Sequence, residues 1–217
     1  MDVEQARFNM VEQQIRPWEV LDPKVLDLLS KVKREDFVPQ VYRSLAFVDM
    51  EIPLGHGEQM WPPRVEARAL QALQVQGHER VLEVGTGSGY FTALLASQAN
   101  AVISVELHAD LKSEADRKFH AHGYTNIQTR LGDAARDWTD DGAFDVIVLT
   151  GSSPLLPEAY LHRLNPGGRL FAVIGEGVIM SARLVTCVAA GAFRHDSLFE
   201  TKVKSLDNAL EPERFSF

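Results

Sequence analysis

VLEVGTGSGY, residues 81–90, decides the fold. Val81 to Val84 reads as a short buried strand, and Gly85, Gly87 and Gly89 then recur at alternate positions. A helical apolar pattern, YFTALLASQA, begins at Tyr90. Strand, glycine turn and helix in that order bring backbone N–H groups close to a polar ligand at the carboxyl end of the strand.

The texture downstream repeats the unit. AVISVE, NIQTRLGD, FDVIVLTGS and GGRLFAVIG read as strands, separated by a polar helical segment from about Leu107 to His122 and by PEAYLHRL. Strands alternating with helices predict a mostly parallel sheet covered by helices on both faces. After it, SARLVTCVAA, a break at Gly191 and FRHDSLFETKVK read as two strands joined without a helix, an antiparallel hairpin at the sheet edge.

Upstream, residues 1–75 read as a helical extension. Asp22 stands as an N-cap before Pro23, and PKVLDLLSKV puts Val25, Leu28, Leu29 and Val32 on one helix face. DFVPQVYRSLAFVDMEIPLGHGEQMWPP follows as a long connection rich in aromatic residues, of the kind that often carries function. PRVEARALQALQV then resumes a helical pattern. The expected organisation is one domain: an extension and substrate loop at 1–75, a ligand-binding α/β core at 76–205 and a tail at 206–217.

Composition sets the bounds. With 217 residues, 45% of them hydrophobic, the chain can bury one sizeable core. A formal net charge of −8 argues against a broad electrostatic grip on nucleic acid or an anionic membrane. Cys187 is the single cysteine, so no intrachain disulfide forms, which suits a reducing, cytoplasmic setting. The N-terminus lacks a signal-peptide pattern, and no stretch reaches the roughly 20 apolar residues of a membrane span.

Glu106 ends the strand after the glycine turn, where a carboxylate can accept hydrogen bonds from two ribose hydroxyls. Nucleoside binding follows. A dinucleotide fingerprint would need glycine at position 90, where the chain has Tyr90, and no phosphate-binding lysine follows as in a P-loop. Ser88 lies in no complete nucleophile elbow, because position 86 is threonine. His120 and His122 have no neighbouring carboxylate or cysteine pattern to complete a metal site, and none is expected.

The segment Glu83 to Gly89, acidic Glu106, Gly132-Asp133-Ala134 and Phe144-Asp145-Val-Ile-Val resemble the ordered motifs of class I S-adenosylmethionine-dependent methyltransferases. More narrowly, VKREDFVP, IPLGHGE, VLEVGTGSGY, LGDA, LNPGGRL and IGEG resemble the protein-L-isoaspartate (D-aspartate) O-methyltransferases over most of the chain. The resemblance implies a Rossmann-like, doubly wound, seven-stranded α/β fold. It also implies S-adenosyl-L-methionine as cofactor, S-adenosyl-L-homocysteine as product, and an isoaspartyl α-carboxylate in a damaged protein as methyl acceptor.

By that resemblance the cofactor is held by Glu83, Gly85, Thr86, Gly87, Ser88, Gly89, Glu106, Leu107, Gly132, Asp133, Ala134 and Thr150. A carboxylate is ionised at neutral pH, so no general base is required and the enzyme's work is alignment. The substrate loop departs from the family. Where the family carries Gly-x-Thr-Ile-Ser-x-Pro, residues 57–63 read GEQMWPP, so Met60 and Trp61 replace Ile-Ser and the hydroxyl is gone. Gln59, Met60, Trp61 and Arg64 are the loop candidates, with Arg64 or backbone amides available to compensate. Two alternatives stay open: the same fold and cofactor with a different acceptor, one that could stack on the Trp61 indole, or a non-catalytic protein that binds S-adenosylmethionine.

Overall fold

The computed structural model describes residues 2–139 and 141–213. The chain opens with α1 (Val3–Asn9), continues through a π-helical turn at Met10–Ile15 and a 3-10 turn at Arg16–Trp18, and then forms α2 (Pro23–Lys31). The Asp22 side chain caps α2 by accepting from the N–H of Lys24 at 2.8 Å, and Pro23 takes the first helical position. Val25, Leu26 and Leu29 are buried, Leu28 is half-buried, and Val32 is buried just past the last turn.

The long connection is more ordered than its composition suggests. Two 3-10 turns lead into a hairpin of β1 (Ile52–Gly55) and β2 (Glu58–Met60), with Ile52 opposite Met60. Its tip runs through Gly55, His56 and Gly57, all at positive φ, a left-handed path that two glycines make inexpensive. Helix α3 (Pro63–Leu73) follows and buries Val65, Ala69, Leu70 and Leu73.

The main sheet contains β3 (Arg80–Val84), β4 (Ala101–Glu106), β5 (Ile127–Leu131), β6 (Phe144–Ser153), β7 (Leu164–Ile174), β8 (Met180–Ala189) and β9 (Ala192–Thr201). Their order is β5-β4-β3-β6-β7-β8-β9; β3 to β7 pair in parallel, and β8 and β9 add an antiparallel hairpin at the edge. Helices α4 (Tyr90–Ala96) and α5 (Ala109–Ala121) connect β3 to β4 and β4 to β5. After β5 the chain crosses back to lay β6 on the other side of β3. That reversal is the switch point at which open parallel sheets leave a crevice at their carboxyl ends.

Alternate residues of each strand serve two apolar layers. Val81, Val102, Val146 and Phe171 share one layer with residues of all the helices, whereas Leu82, Ile103, Ile147 and Leu170 share the other with Tyr160, Leu161 and Ala134. The expected helix at PEAYLHRL is a 3-10 turn, Glu158–Arg163, set between a proline-bounded start and the entry to β7. Six residues suffice to drop Tyr160 and Leu161 onto the sheet. Among the described residues, no helix is long and apolar enough to cross a membrane.

Candidate functional site

The glycine turn is shaped by what crowds it. The Thr150 hydroxyl at the end of β6 lies 2.8 Å from the carbonyl oxygen of Val84 and 2.7 Å from that of Gly85, with one proton to donate. A Cβ on Gly85, at φ +95°, would sit 2.3 Å from that hydroxyl. Gly89 opens α4 at φ +83°, and a Cβ there would meet the Phe119 ring at 2.9 Å. Neighbouring side chains thus leave no room for a Cβ at Gly85 or Gly89, and Gly85 and Gly87 border the cleft.

Glu106 faces this turn from the end of β4. One carboxylate oxygen accepts the Gly87 N–H at 2.8 Å and the other accepts the His108 N–H at 3.0 Å. Each oxygen keeps further lone-pair capacity, and the residue lines the cleft. Across the next strand end, Gly132 donates its N–H to the Glu106 carbonyl at 2.9 Å, and a Cβ on Gly132 would strike the Trp138 ring at 2.8 Å. Asp133 accepts from the Ala135 N–H at 3.0 Å and from the Asn208 amide at 2.8 Å.

Glu83 lies one layer beneath. Its carboxyl is fully buried, accepts from the hydroxyls of Thr92 and Ser104, and has one oxygen without a partner. Burial pushes its pKa up to about 8, with the two hydroxyls and the Glu106 charge as smaller influences. The Ser104 hydroxyl also contacts Thr86 Oγ at 2.6 Å, so Glu83 reaches the cleft through Thr86 and not directly.

The C-terminal segment closes one side. After β9 the chain returns to pair Ser205 with Ser152, with the Leu206 N–H on the Ser152 carbonyl at 2.9 Å. Leu206 packs so tightly on Gly151 that a Cβ there would come within 2.7 Å. Lys204 forms ion pairs with Asp207 at 2.8 Å and with Glu58 of β2. His108 stands beside them, 3.7 Å from Glu58 and stacked on His56 with centroids 4.2 Å apart. Glu58, His108 and Asp207 offer ligand atoms within 4.8 Å of one another, but the Lys204 ammonium already bridges the two carboxylates.

Met60, Trp61, Glu66 and Phe91 also line the cleft. This wall is anchored by Arg34, whose side chain is fully buried. Arg34 Nε donates to the Ala46 carbonyl at 2.8 Å, one terminal nitrogen donates to the Trp61 carbonyl at 2.7 Å, and the other pairs with the Glu66 carboxylate. Burial pushes the Glu66 pKa up to about 7, with the Arg34 guanidinium pulling the other way. The Trp61 ring is tilted against Phe91 at 5.5 Å and meets Phe171 edge-on at 6.1 Å.

One cleft thus brings together Gln59, Met60, Trp61, Gly85, Thr86, Gly87, Ser88, Glu106, Leu107, Gly132, Asp133, Ala134 and Thr150. Its empty space, counting the part open to solvent, is about 910 Å³, enough for a nucleoside-sized ligand. Neither Gly89 nor Glu83 lines it. Arg64 does not either: it pairs with Asp49 at 3.1 Å and stacks over the Trp18 ring at 4.2 Å in a separate groove, so it replaces no hydroxyl in the cleft. The sequence reading missed Glu66, Phe91, His108, Lys204, Leu206 and Asp207 as lining residues. Arg34, which holds the Trp61 wall without lining the cleft, lies within the REDFVP motif. The residues present fit an adenosyl cofactor: a tight glycine turn whose Gly85 and Gly87 border the cleft, and beside it a strand-end carboxylate with lone pairs to spare.

The family model for protein-L-isoaspartate(D-aspartate) O-methyltransferase matches residues 5–199. The protein-L-isoaspartate O-methyltransferase 1 of Syntrophobacter fumaroxidans is 35% identical over 198 residues, 91% of this chain and 92% of the relative. The protein-L-isoaspartate O-methyltransferase of Syntrophus aciditrophicus is 38% identical over 183 residues, 84% of each. Among solved structures, a Plasmodium falciparum protein-L-isoaspartate O-methyltransferase in complex with S-adenosyl-L-homocysteine superposes with a TM-score of 0.77 at 20% identity, covering 95% of this chain and 99% of the other. The chain belongs to the protein-L-isoaspartate(D-aspartate) O-methyltransferase family.

Proposed function

We propose that this protein is an S-adenosylmethionine-dependent O-methyltransferase acting on the α-carboxylate of L-isoaspartyl residues in damaged proteins and peptides. The observation that carries the reading is the Glu106 carboxylate, held by the Gly87 and His108 amides at the mouth of the glycine turn. In this reading Glu106 takes the ribose hydroxyls, Gly85 to Ser88 border the methionine portion, and Asp133 with Ala134 lies at the adenine edge. Glu83 acts from below by setting Thr86 through Ser104.

When bound, the cofactor supplies a sulfonium methyl carbon for an oxygen nucleophile. The chain's own residues have no proton to remove, because a carboxylate with a reference pKa near 4 is already ionised. Their task is to exclude water and fix the acceptor's approach. Trp61 and Leu206, both of which line the cleft, contribute to this. The division into extension, core and tail belongs to this reading, with the tail as a wall of the cofactor site. So does a cytoplasmic location, which the single cysteine favours.

A second reading rests on position 61, where the ring of Trp61 leaves no hydroxyl for a carboxylate and a different acceptor would be methylated. Methyl transfer from labelled S-adenosylmethionine to an isoaspartyl peptide, with the normal aspartyl peptide as control, separates the two. Selective labelling of the isoaspartyl peptide is the expected outcome. Binding of S-adenosylhomocysteine with no labelling of that peptide would overturn it.

A further inference from the structure

Trp61 is fixed by everything except its indole nitrogen. Its carbonyl is taken by Arg34, its ring is packed on Phe91 and Phe171, and the residue as a whole is 6% exposed. A buried tryptophan N–H usually finds a hydrogen-bond acceptor. Here no described residue accepts it, although the nitrogen is not sealed off from solvent. The donor is therefore free in a residue that lines the cleft.

The surroundings restrict what it can serve. Glu51, Glu58 and Glu66 line the cleft and offer only acceptors when ionised. Arg34 is consumed by Ala46, Trp61 and Glu66, Arg64 is turned into the other groove, and Lys204 is held between Glu58 and Asp207. An anionic acceptor entering this wall meets carboxylates and needs a donor that is not already spent. A neutral N–H suits a nucleophilic carboxylate, since it orients one oxygen without adding the full charge of an ammonium or guanidinium.

We infer that the indole N–H of Trp61 donates to one oxygen of the acceptor carboxylate and leaves the other free to attack, which makes Trp61 a substrate-positioning residue in place of the absent hydroxyl. This rests on the isoaspartyl reading above. Arg34 sets the indole through the backbone, and Phe91 and Phe171 hold its plane.

The test is calorimetric titration of an isoaspartyl peptide into protein saturated with S-adenosylhomocysteine, alongside steady-state kinetics. Trp61→Phe keeps an aromatic ring against Phe91 and Phe171 and removes the donor together with one ring of the indole, so Trp61→His, also a single ring, serves as its packing control. It is expected to weaken peptide binding by about 10- to 100-fold, the loss of one hydrogen bond to a charged group, and to raise the peptide KM while leaving S-adenosylhomocysteine affinity unchanged. Trp61→His, which restores a ring N–H, is expected to recover part of the loss. Equal binding by wild type and Trp61→Phe would overturn the inference alone, as would equally weak binding by the Phe and His variants, which would assign Trp61 to packing. Wild-type protein that binds S-adenosylhomocysteine but not the isoaspartyl peptide would overturn this inference and the functional reading together.

Discussion

A terminal nitrogen of Arg34 donates to the main-chain oxygen of Trp61 at 2.7 Å, joining the N-terminal extension to the wall of the cleft. The same guanidinium neutralises Glu66, and both side chains are buried. Breaking one half of a buried pair leaves a charge without its counterion. Arg34→Met is expected to lower stability by about 3–5 kcal/mol, read as a shift in the urea unfolding midpoint. Adding Glu66→Met should recover part of that loss, because it removes the stranded carboxylate.

The buried carboxyl of Glu83 makes stability depend on pH. Its pKa is raised to about 8 in the fold, from an ordinary carboxyl value in the unfolded chain. Between those values the folded state holds more protons than the unfolded one, so stability is greatest at the acid end and falls as pH rises. Glu66, raised to about 7, acts in the same direction over a narrower window. Unfolding free energies measured from pH 5 to pH 9 should fall, and Glu83→Gln should remove a share on the order of 3 kcal/mol of that fall.

Glu106 predicts a cofactor phenotype. Glu106→Ala removes the acceptor for two backbone amides and the carboxylate assigned to the ribose. S-adenosylhomocysteine affinity, followed by calorimetry, should fall by roughly 10-fold or more, the value of a hydrogen bond to a charged group. An unchanged dissociation constant would remove Glu106 from the cofactor site.

The returning tail is expected to matter for binding more than for folding. Ending the chain after Val203 keeps that buried residue and removes Leu206 from Gly151, Lys204 from Glu58 and Asn208 from Asp133. The truncated protein should unfold cooperatively yet bind S-adenosylhomocysteine more weakly and release it faster, as stopped-flow displacement would show. Release at the wild-type rate would mean that the cleft's other walls suffice.

The readable and unreadable parts of the site differ in the reach of the contacts that make them. Strand, glycine turn and helix at 81–96 lie in one continuous stretch, so hydrophobic period and glycine spacing were enough to place them. Glu106 was legible because one strand and one helix later is where the neighbouring parallel strand ends. The hairpin at Ile52–Met60 was read as a loop, since Pro53 and a tip with three consecutive positive φ values obscure a strand pattern. The 3-10 turn at Glu158–Arg163 passed for a helix, because an apolar pair such as Tyr160 and Leu161 suits either.

The amino-acid sequence alone determined the sheet, the nucleoside-type cleft and the family, because local patterning and ordered motifs carry them. Tertiary structure decided which side chains face that cleft. Arg34 reaches Trp61 across 27 positions and Asn208 reaches Asp133 across 75, whereas Arg64, three residues from Trp61, is drawn away by Asp49 and Trp18. Such outcomes depend on which distant partner satisfies each buried charge or donor. That competition is resolved only when the whole chain has packed.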